Sequence, residues 1–285
     1  MSEMSPFNSF STNSGNYGDG EYGEANNLVA NIAFLFFIIF IFIILLRVGM
    51  SVIAYFLQPN QSPKIINGMV DATQMLIFPQ DPSYNGAVTI YRSQNATDGI
   101  EFTWSIWLMI NDLYSSGVTG QYKHVFHKGN SDLSGNGINF PNNAPGLYIE
   151  PNTNSLVVIM NTFQNINEEI TVPDIPINKW VNVIIRCQNE ILDIYINGTI
   201  VRSLEMSGVP KQNYGDVYVA MNGGFNGYIS NLWYYNYALG TTAIQEISSK
   251  GPNTKMISSS AVDMKDTNYL SLRWYFAGDQ DMYNP

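Results

Sequence analysis

The run from Leu28 to Leu57, LVANIAFLFFIIFIFIILLRVGMSVIAYFL, constrains this chain more than any other segment. It carries one charge, Arg47, and the fourteen residues from Ala33 to Leu46 have no polar side chain. About 20 apolar residues in a helix cross the hydrocarbon core of a bilayer. Inside lipid, only a helix or a closed barrel pairs its own backbone groups. Residues 28–57 are therefore read as one transmembrane helix, which at ~1.5 Å per residue reaches ~45 Å and can span with tilt. A secretory signal would open on basic residues and close on a small-residue cleavage site. Here the preceding 27 residues hold Glu3, Asp19, Glu21 and Glu24 with no Lys or Arg, and no A-x-A site follows. A core helix of a soluble protein would carry a polar stripe, and this run has none.

Beyond the helix the composition changes. The chain is rich in Asn, Tyr, Gly, Val and Ile and poor in charge, which suits strands and turns. A net charge of −10 with no Lys/Arg cluster argues against binding the phosphate backbone of nucleic acid. One cysteine, Cys187, excludes an internal disulfide and is compatible with a reducing compartment. The sequons at Asn60, Asn95 and Asn197 are expected by chance in so Asn-rich a sequence.

Five segments follow. Residues 1–27 form an acidic tail too poor in large apolar groups to order by itself. The span covers 28–57. Residues 58–68 (QPNQSPKIING) read as a linker. Residues 69–252 hold short period-two runs separated by turn signals: Gln74–Phe78, Ala87–Arg92, Ile100–Ile110, Lys123–Lys128, Gly146–Ile149, Ser155–Asn161, Glu169–Val172, Val181–Gln188, Ile191–Ile196, Thr199–Leu204, Val217–Met221 and Gly227–Tyr235. Asn189-Glu190 and Asn197-Gly198 are tight turns that make the region from Val181 to Leu204 a three-strand meander. Val181, Val183, Ile185 and Cys187 share one face of it, as do Leu192, Ile194 and Ile196. Asn182, Arg186, Asp193 and Tyr195 mark a wetter opposite face, with Ile184 among them. About a dozen strands, with one short helix at Thr242–Ser249, predict an all-β, two-sheet antiparallel sandwich. Residues 253–285 form a C-terminal extension whose Trp274, Tyr275 and Phe276 are expected to dock on the sandwich or on a partner.

Three stretches carry a family resemblance. GIEFTWSIWLMI resembles the early core strand of laminin-G-like domains, which are concanavalin-A-like jelly rolls. IPINKWVNVIIRCQNEILDIYINGTIV resembles their meander with its Tyr-x-Asn-Gly hairpin. FNGYISNLWYYNYALGTTAIQEISSKGP resembles their closing strands and short helix. The likeness spans Gln74 to Pro252. More narrowly, HVFHKGN, APGLYIEPNTNSLVVIMNTF and IPINKW, beside an N-terminal anchor, resemble the membrane-anchored laminin-G-like proteins of large double-stranded DNA viruses, in which an internal membrane lies beneath an icosahedral capsid.

The chemistry on offer is sparse. Glycoside hydrolases on this sandwich use a Glu-x-Asp-x-x-Glu pattern, because two carboxyl groups must face each other across a sugar. That pattern is absent, and Glu168 and Glu169, being adjacent on a strand, point to opposite faces. His124 and His127 are the only histidines; three apart on a strand, they are expected on opposite faces and so not on one metal. Cys187 reads as a small core hydrophobe. Trp104, Trp107 and Trp180 read as core rather than as sugar platforms. Trp233, Tyr234, Tyr235 and Tyr237 cannot all be buried by alternation and form the candidate partner surface. In the loop Gly129–Pro145, the side chains of Asp132, Asn136, Asn139 and Asn142 offer oxygens to Ca²⁺, though with one carboxylate against the several that Ca²⁺ prefers.

The expected function is that of a membrane-anchored, non-catalytic structural or interaction protein. The viral resemblance implies a virion minor capsid component linking an internal membrane to the shell. The alternative is a carbohydrate-binding, lectin-like surface protein. The expected partners are lipid and other proteins, capsid proteins on the viral reading and glycan on the alternative, with no nucleic acid and no cofactor. Arg47, in the C-terminal part of the apolar run and able to snorkel to the interface, and Lys64 beyond it lie on the C-terminal side, while no Lys or Arg precedes the run, so the positive-inside rule puts the sandwich on the cytoplasmic side.

Overall fold

The computed structural model describes residues 20–57, 60–84, 86–93, 95–96, 99–115 and 117–257. The expected disorder of residues 1–19 and the docking of Trp274, Tyr275 and Phe276 lie outside those residues. The chain divides into two compact units, Met1–Pro59 and Asn60–Pro285.

The first unit holds helix α1, Gly20–Leu57. Within it Asn27–Phe56 is long and apolar enough to cross a membrane. The helix starts eight residues ahead of the expected boundary, inside the acidic segment, because propagation adds a hydrogen bond per residue once a helix is nucleated. It stops two residues before Pro59, which cannot continue a helix.

Among the described residues, the second unit is a sandwich of thirteen strands. The first sheet runs β1 (Met69–Asp71), β13 (Asn226–Tyr235), β4 (Gly99–Asp112), β9 (Trp180–Gln188), β10 (Ile191–Ile196) and β11 (Thr199–Glu205), with β3 (Asn95–Ala96) added on β4. The second runs β2 (Leu76–Phe78), β12 (Asp216–Val219), β5 (Lys123–Gly129), β6 (Gly146–Ile149), β7 (Leu156–Met160) and β8 (Glu168–Val172). Each strand pair is antiparallel. Helix α2, Thr241–Lys250, follows the last strand.

Alternation explains the core. On β4 the side chains of Phe102, Trp104, Ile106, Leu108 and Ile110 enter it. The meander contributes Val181, Val183, Ile185, Cys187, Leu192 and Ile194, and the second sheet supplies Val125, Phe126, Leu147, Val158 and Val219. Trp104 packs against Phe126 and Tyr234, with ring centroids 5.2 and 5.1 Å away.

Four expectations need correction. The face of the meander read as wetter is covered: Ile184 packs with Leu239, Ile244 and Ile247 beneath α2, and Asn182 is buried. The helix is amphipathic, so its apolar stripe needs a sheet face to cover. Residues read as linker belong to the sandwich, since Ile65 and Ile66 are core and both donate their N–H groups to Leu232 O. The start of the C-terminal extension is also built in: Met69 N donates to Lys255 O, Ile257 N donates to Met69 O, and Ile257 packs on the core. Finally, 87–92 is not a ladder strand. The Gln80 amide donates to Val88 O and accepts from Ile90 N, doing what a neighbouring strand would do.

Expressed from Asn60 onward, the second unit is expected to fold alone and give a β-type circular dichroism spectrum; a mainly helical spectrum would contradict the architecture. Ile194 is 1% exposed. Ile194→Asp would bury an unpaired charge and is expected to abolish the cooperative thermal transition. A melting temperature near that of the parent would place the residue outside the core.

Candidate functional site

The two histidines expected on opposite faces meet. A register shift between His124 and Phe126 in the β5–β6 ladder adds a residue to β5. Val125 and Phe126 both turn inward, which returns His124 and His127 to one side. A bulge of this kind resets side-chain parity. The rings lie edge to face, with His124 Nε2 2.6 Å from His127 Nδ1. Met221 N–H donates to His124 Nδ1, and His127 Nε2 bonds Asn130 O. Because a carbonyl only accepts, His127 carries its proton on Nε2. His127 Nδ1 is then the acceptor for His124 Nε2–H. All four ring nitrogens are used in this chain, which leaves no lone pair for a metal.

That relay holds the loop from Gly129 to Pro145 against the outer face of the second sheet. Asn139 Nδ2 donates to Asn130 O and Asp132 O. Tyr148 Oη donates to Asn143 Oδ1 and accepts from Asn139 N, while Ile138 packs on Tyr148, Val157 and Ile159. Of the four residues read as oxygen donors, Asn139 is buried, with its amide nitrogen committed inside the loop and its Oδ1 without a hydrogen-bond partner. Asn136 Oδ1 closes its own turn by accepting from Ile138 N, and Asp132 Oδ2 accepts from Asn130 Nδ2. Asn142 is half-buried. Among the described residues, no three of His, Cys, Asp and Glu gather as a metal-ligating group.

The aromatic run on β13 separates. Tyr234 is core and donates its hydroxyl to Tyr91 O. Tyr235 packs beneath α2. Trp233 is half-buried with the Lys64 ammonium 4.7 Å from its ring centroid. Only Tyr237, 49% exposed, presents its ring to solvent. Trp104 and Trp107 are both buried, but on opposite sides of the first sheet: Trp104 enters the core, whereas Trp107 lines an outer pocket. Their spacing of three on an unbulged stretch already implied this. Trp180 is half-buried.

That outer pocket, of about 290 Å³, lies between β4, β13 and the end of α2. Ser105 and Trp107 of β4, Asn231 and Trp233 of β13, and Lys64 and Lys250 are among its walls. The β13–β4 register shifts between Ser230 and Trp233, with Asn231 at φ 51. Ile229 and Leu232 both enter the core, which leaves Ser230 and Asn231 together outside it. The bulge was not legible from alternation alone.

Lys128 was also missed. It is buried, its ammonium donates to Asn213 O and Gly215 O at 3.0 and 2.6 Å, and burial lowers its pKa to about 8. Cys187 follows the expected reading: burial pushes its thiol up to about 12, opposite to an activated nucleophile. Glu168 is buried and accepts from Ser207 N and Oγ, while Glu169 is exposed on the other face.

The histidine relay makes stability depend on pH. Burial lowers the His124 pKa well below the ordinary value and that of His127 to about 4. The unfolded chain takes up protons near pH 6.5 and the folded chain does not. The stabilisation is therefore full above that pH and is lost as pH falls toward 4, by roughly 3 kcal/mol for a shift of the size at His127. Denaturant midpoints are expected to drop between pH 7 and pH 4.5, with neither ring titrating by NMR between pH 8 and pH 5. A ring that titrates near pH 6.5 would show that the relay is open to water.

A family model described as the concanavalin A-like lectin/glucanases superfamily, of laminin G type, matches residues 82–245. No curated protein matches the sequence. Among solved structures, the binding domain of botulinum neurotoxin DC in complex with SialylT is 18% identical with a TM-score of 0.42, covering 53% of this chain and 35% of that one. The botulinum neurotoxin serotype G binding domain is 12% identical with a TM-score of 0.43, covering 64% and 46%. The chain thus spans less than half the length of either structure. The family match takes in more than half of the sequence and the greater part of both sheets, and the chain belongs to the concanavalin A-like lectin/glucanases superfamily.

Proposed function

We propose that this chain is a membrane-anchored, non-catalytic structural and interaction protein, a minor capsid component that ties a virion's internal membrane to its protein shell through the sandwich. The observation that carries this reading is the apolar helix: Asn27–Phe56 is long and apolar enough to cross a membrane, and the same chain carries the sandwich. The opposed side chains of Glu168 and Glu169 support the non-catalytic reading, because a hydrolase needs two carboxyl groups facing one substrate. Tyr237, left exposed by the aromatic run, is a contact residue for a protein partner. Capsid proteins are the proposed partners, with the sandwich on the cytoplasmic side. The virus-like strings HVFHKGN and APGLYIEPNTNSLVVIMNTF support that context.

Fractionation of purified particles is the test. The chain is expected to stay with the lipid when the shell is stripped, and to cross-link to a shell protein before stripping. Recovery only from host membranes, and never from particles, would overturn the virion assignment. In microsomes, Asn95 and Asn197 are expected to stay unglycosylated; glycans there would reverse the topology and favour the lectin reading.

A further inference from the structure

The histidine pair has a hydrogen count that fixes how it responds to acid. Three gaps lead from Met221 N through the two rings to Asn130 O, and three hydrogens fill them, on Met221 N, His124 Nε2 and His127 Nε2. The lone pairs that remain, on His124 Nδ1 and His127 Nδ1, each already face an N–H. A fourth proton therefore sets hydrogen against hydrogen in one of the two inner gaps, and the gap between the rings is 2.6 Å. Tyr148 of β6 lies 5.4 Å from the His124 ring, and Tyr218 of β12 stacks on His127 at 5.1 Å, centroid to centroid. Burial raises the pKa of both phenols. Asp132 in the loop and Asp216 on β12 act on Tyr218, and Lys123 and Lys128 lie on β5 itself. On the rings, burial opposes charge, His127 opposes it at His124, and the Asn130 carbonyl favours it at His127.

The loop that this pair holds is a hairpin in its own right. Phe140 N donates to Asp132 O, Ser134 N to Ile138 O and Gly137 N to Ser134 O. Its base is fixed to β5, where Lys128 N donates to Pro145 O and Ala144 N to Lys128 O. Beyond the base it rests on the outer face of the second sheet. There Ile138 packs on Tyr148, Val157 and Ile159, Tyr148 Oη accepts from Asn139 N, and Tyr122 N donates to Asn136 O. This contact is separate from the core, which the same sheet reaches through Val125, Phe126, Leu147 and Val158. Nor is it complete: Asn130 Oδ1 and Asn139 Oδ1 are buried without a partner, and lifting the hairpin restores their hydration.

We propose that residues 130–140 form an acid-opened flap: proton uptake by the His124–His127 pair swings His127 and the hairpin off the second sheet and uncovers Tyr148, Val157 and Ile159, while the core stays closed. The proton comes from solvent and ends on His127 Nδ1, which faces water once the rings part. The charged ring donates to Asn130 O more strongly than the neutral one, so ring and hairpin leave as a unit, hinged at the base. His124 keeps its bond to Met221. The element that switches is thus local, and the charge that drives it is one imidazolium. The flap does not depend on the proposed virion role.

The test follows the full chain in dodecyl maltoside micelles by hydrogen exchange at pH 7 and pH 4, corrected for the intrinsic exchange rate at each pH. The amides to watch are Tyr122 and Asn139, whose bonds cross between flap and sheet. In parallel, ¹³C-labelled histidine reports ring charge by NMR, and the chain has only two histidines to read. Burial lowers the His127 pKa to about 4, against roughly 6.5 for a ring in water, so the opening equilibrium is expected to rise about a hundredfold between pH 7 and pH 4. Both amides are expected to lose that much protection as the first ring becomes charged, and to regain it at pH 7. Residues 181–187 of β9 are expected to stay protected throughout. Asp132→Asn, which removes the carboxylate of the flap, is expected to open over the same pH range as the parent. Unchanged protection at pH 4, opening while both rings are neutral, loss of β9 protection together with the flap, or an Asp132→Asn flap that stays shut would each overturn the proposal.

Discussion

One apolar layer shared by the inner faces of the two sheets holds the sandwich together, and each strand is registered by the side chains it sends there. A fully buried Leu, Ile, Val or Phe contributes roughly 1.5–3 kcal/mol relative to exposure, so a strand cannot slip by one residue without exchanging its whole inner set for its outer set. That cost makes the two bulges informative. In β5 and in β13 an extra residue is accommodated while the inner set stays in place, and the displaced parity appears on the outer face. In β5 it brings His124 to His127; in β13 it sets Asn231 beside Trp233.

Both sheets are also covered over part of their outer faces, by different means. The second is covered by the loop Gly129–Pro145, whose polar groups are spent on Asn, Tyr and His side chains of the sheet and of the loop itself. The first is covered by α2 through Ile244 and Ile247. Cover of the first kind is rich in hydrogen bonds, although Asn130 Oδ1 and Asn139 Oδ1 are buried without a partner. At the end of α2 the helix stops at Lys250 and the chain turns back along β13, where Ser230 Oγ donates to Asn253 O. A pocket remains in the angle.

This contrast bears on where function lies. The rim loop has the composition of a ligand loop but spends most of its groups on fixing itself. The pocket is built from an unremarkable stretch of strand and a segment that reads as a linker. The aromatic run behaves in the same divided way, with Tyr234 serving the core, Tyr235 the helix, Trp233 the pocket, and only Tyr237 left for solvent.

The sequence by itself determined the apolar span, the all-β class, the meander with its two turns, the short helix after the last strand, and the inward set on β9. Each of these is local, written in a period of two or in an unbroken apolar run. Only the tertiary structure decided what depends on insertion and cover. Whether a strand carries an extra residue is not visible in its hydrophobic pattern when both residues at the bulge are apolar, as Val125 and Phe126 are. Whether a polar strand face is wet depends on an element far along the chain, as α2 covers Asn182 and Ile184. That Ile65 and Ile66 are core rather than linker follows from hydrogen bonds to Leu232, more than 160 residues away, and pairing at such separation leaves no local trace in the sequence.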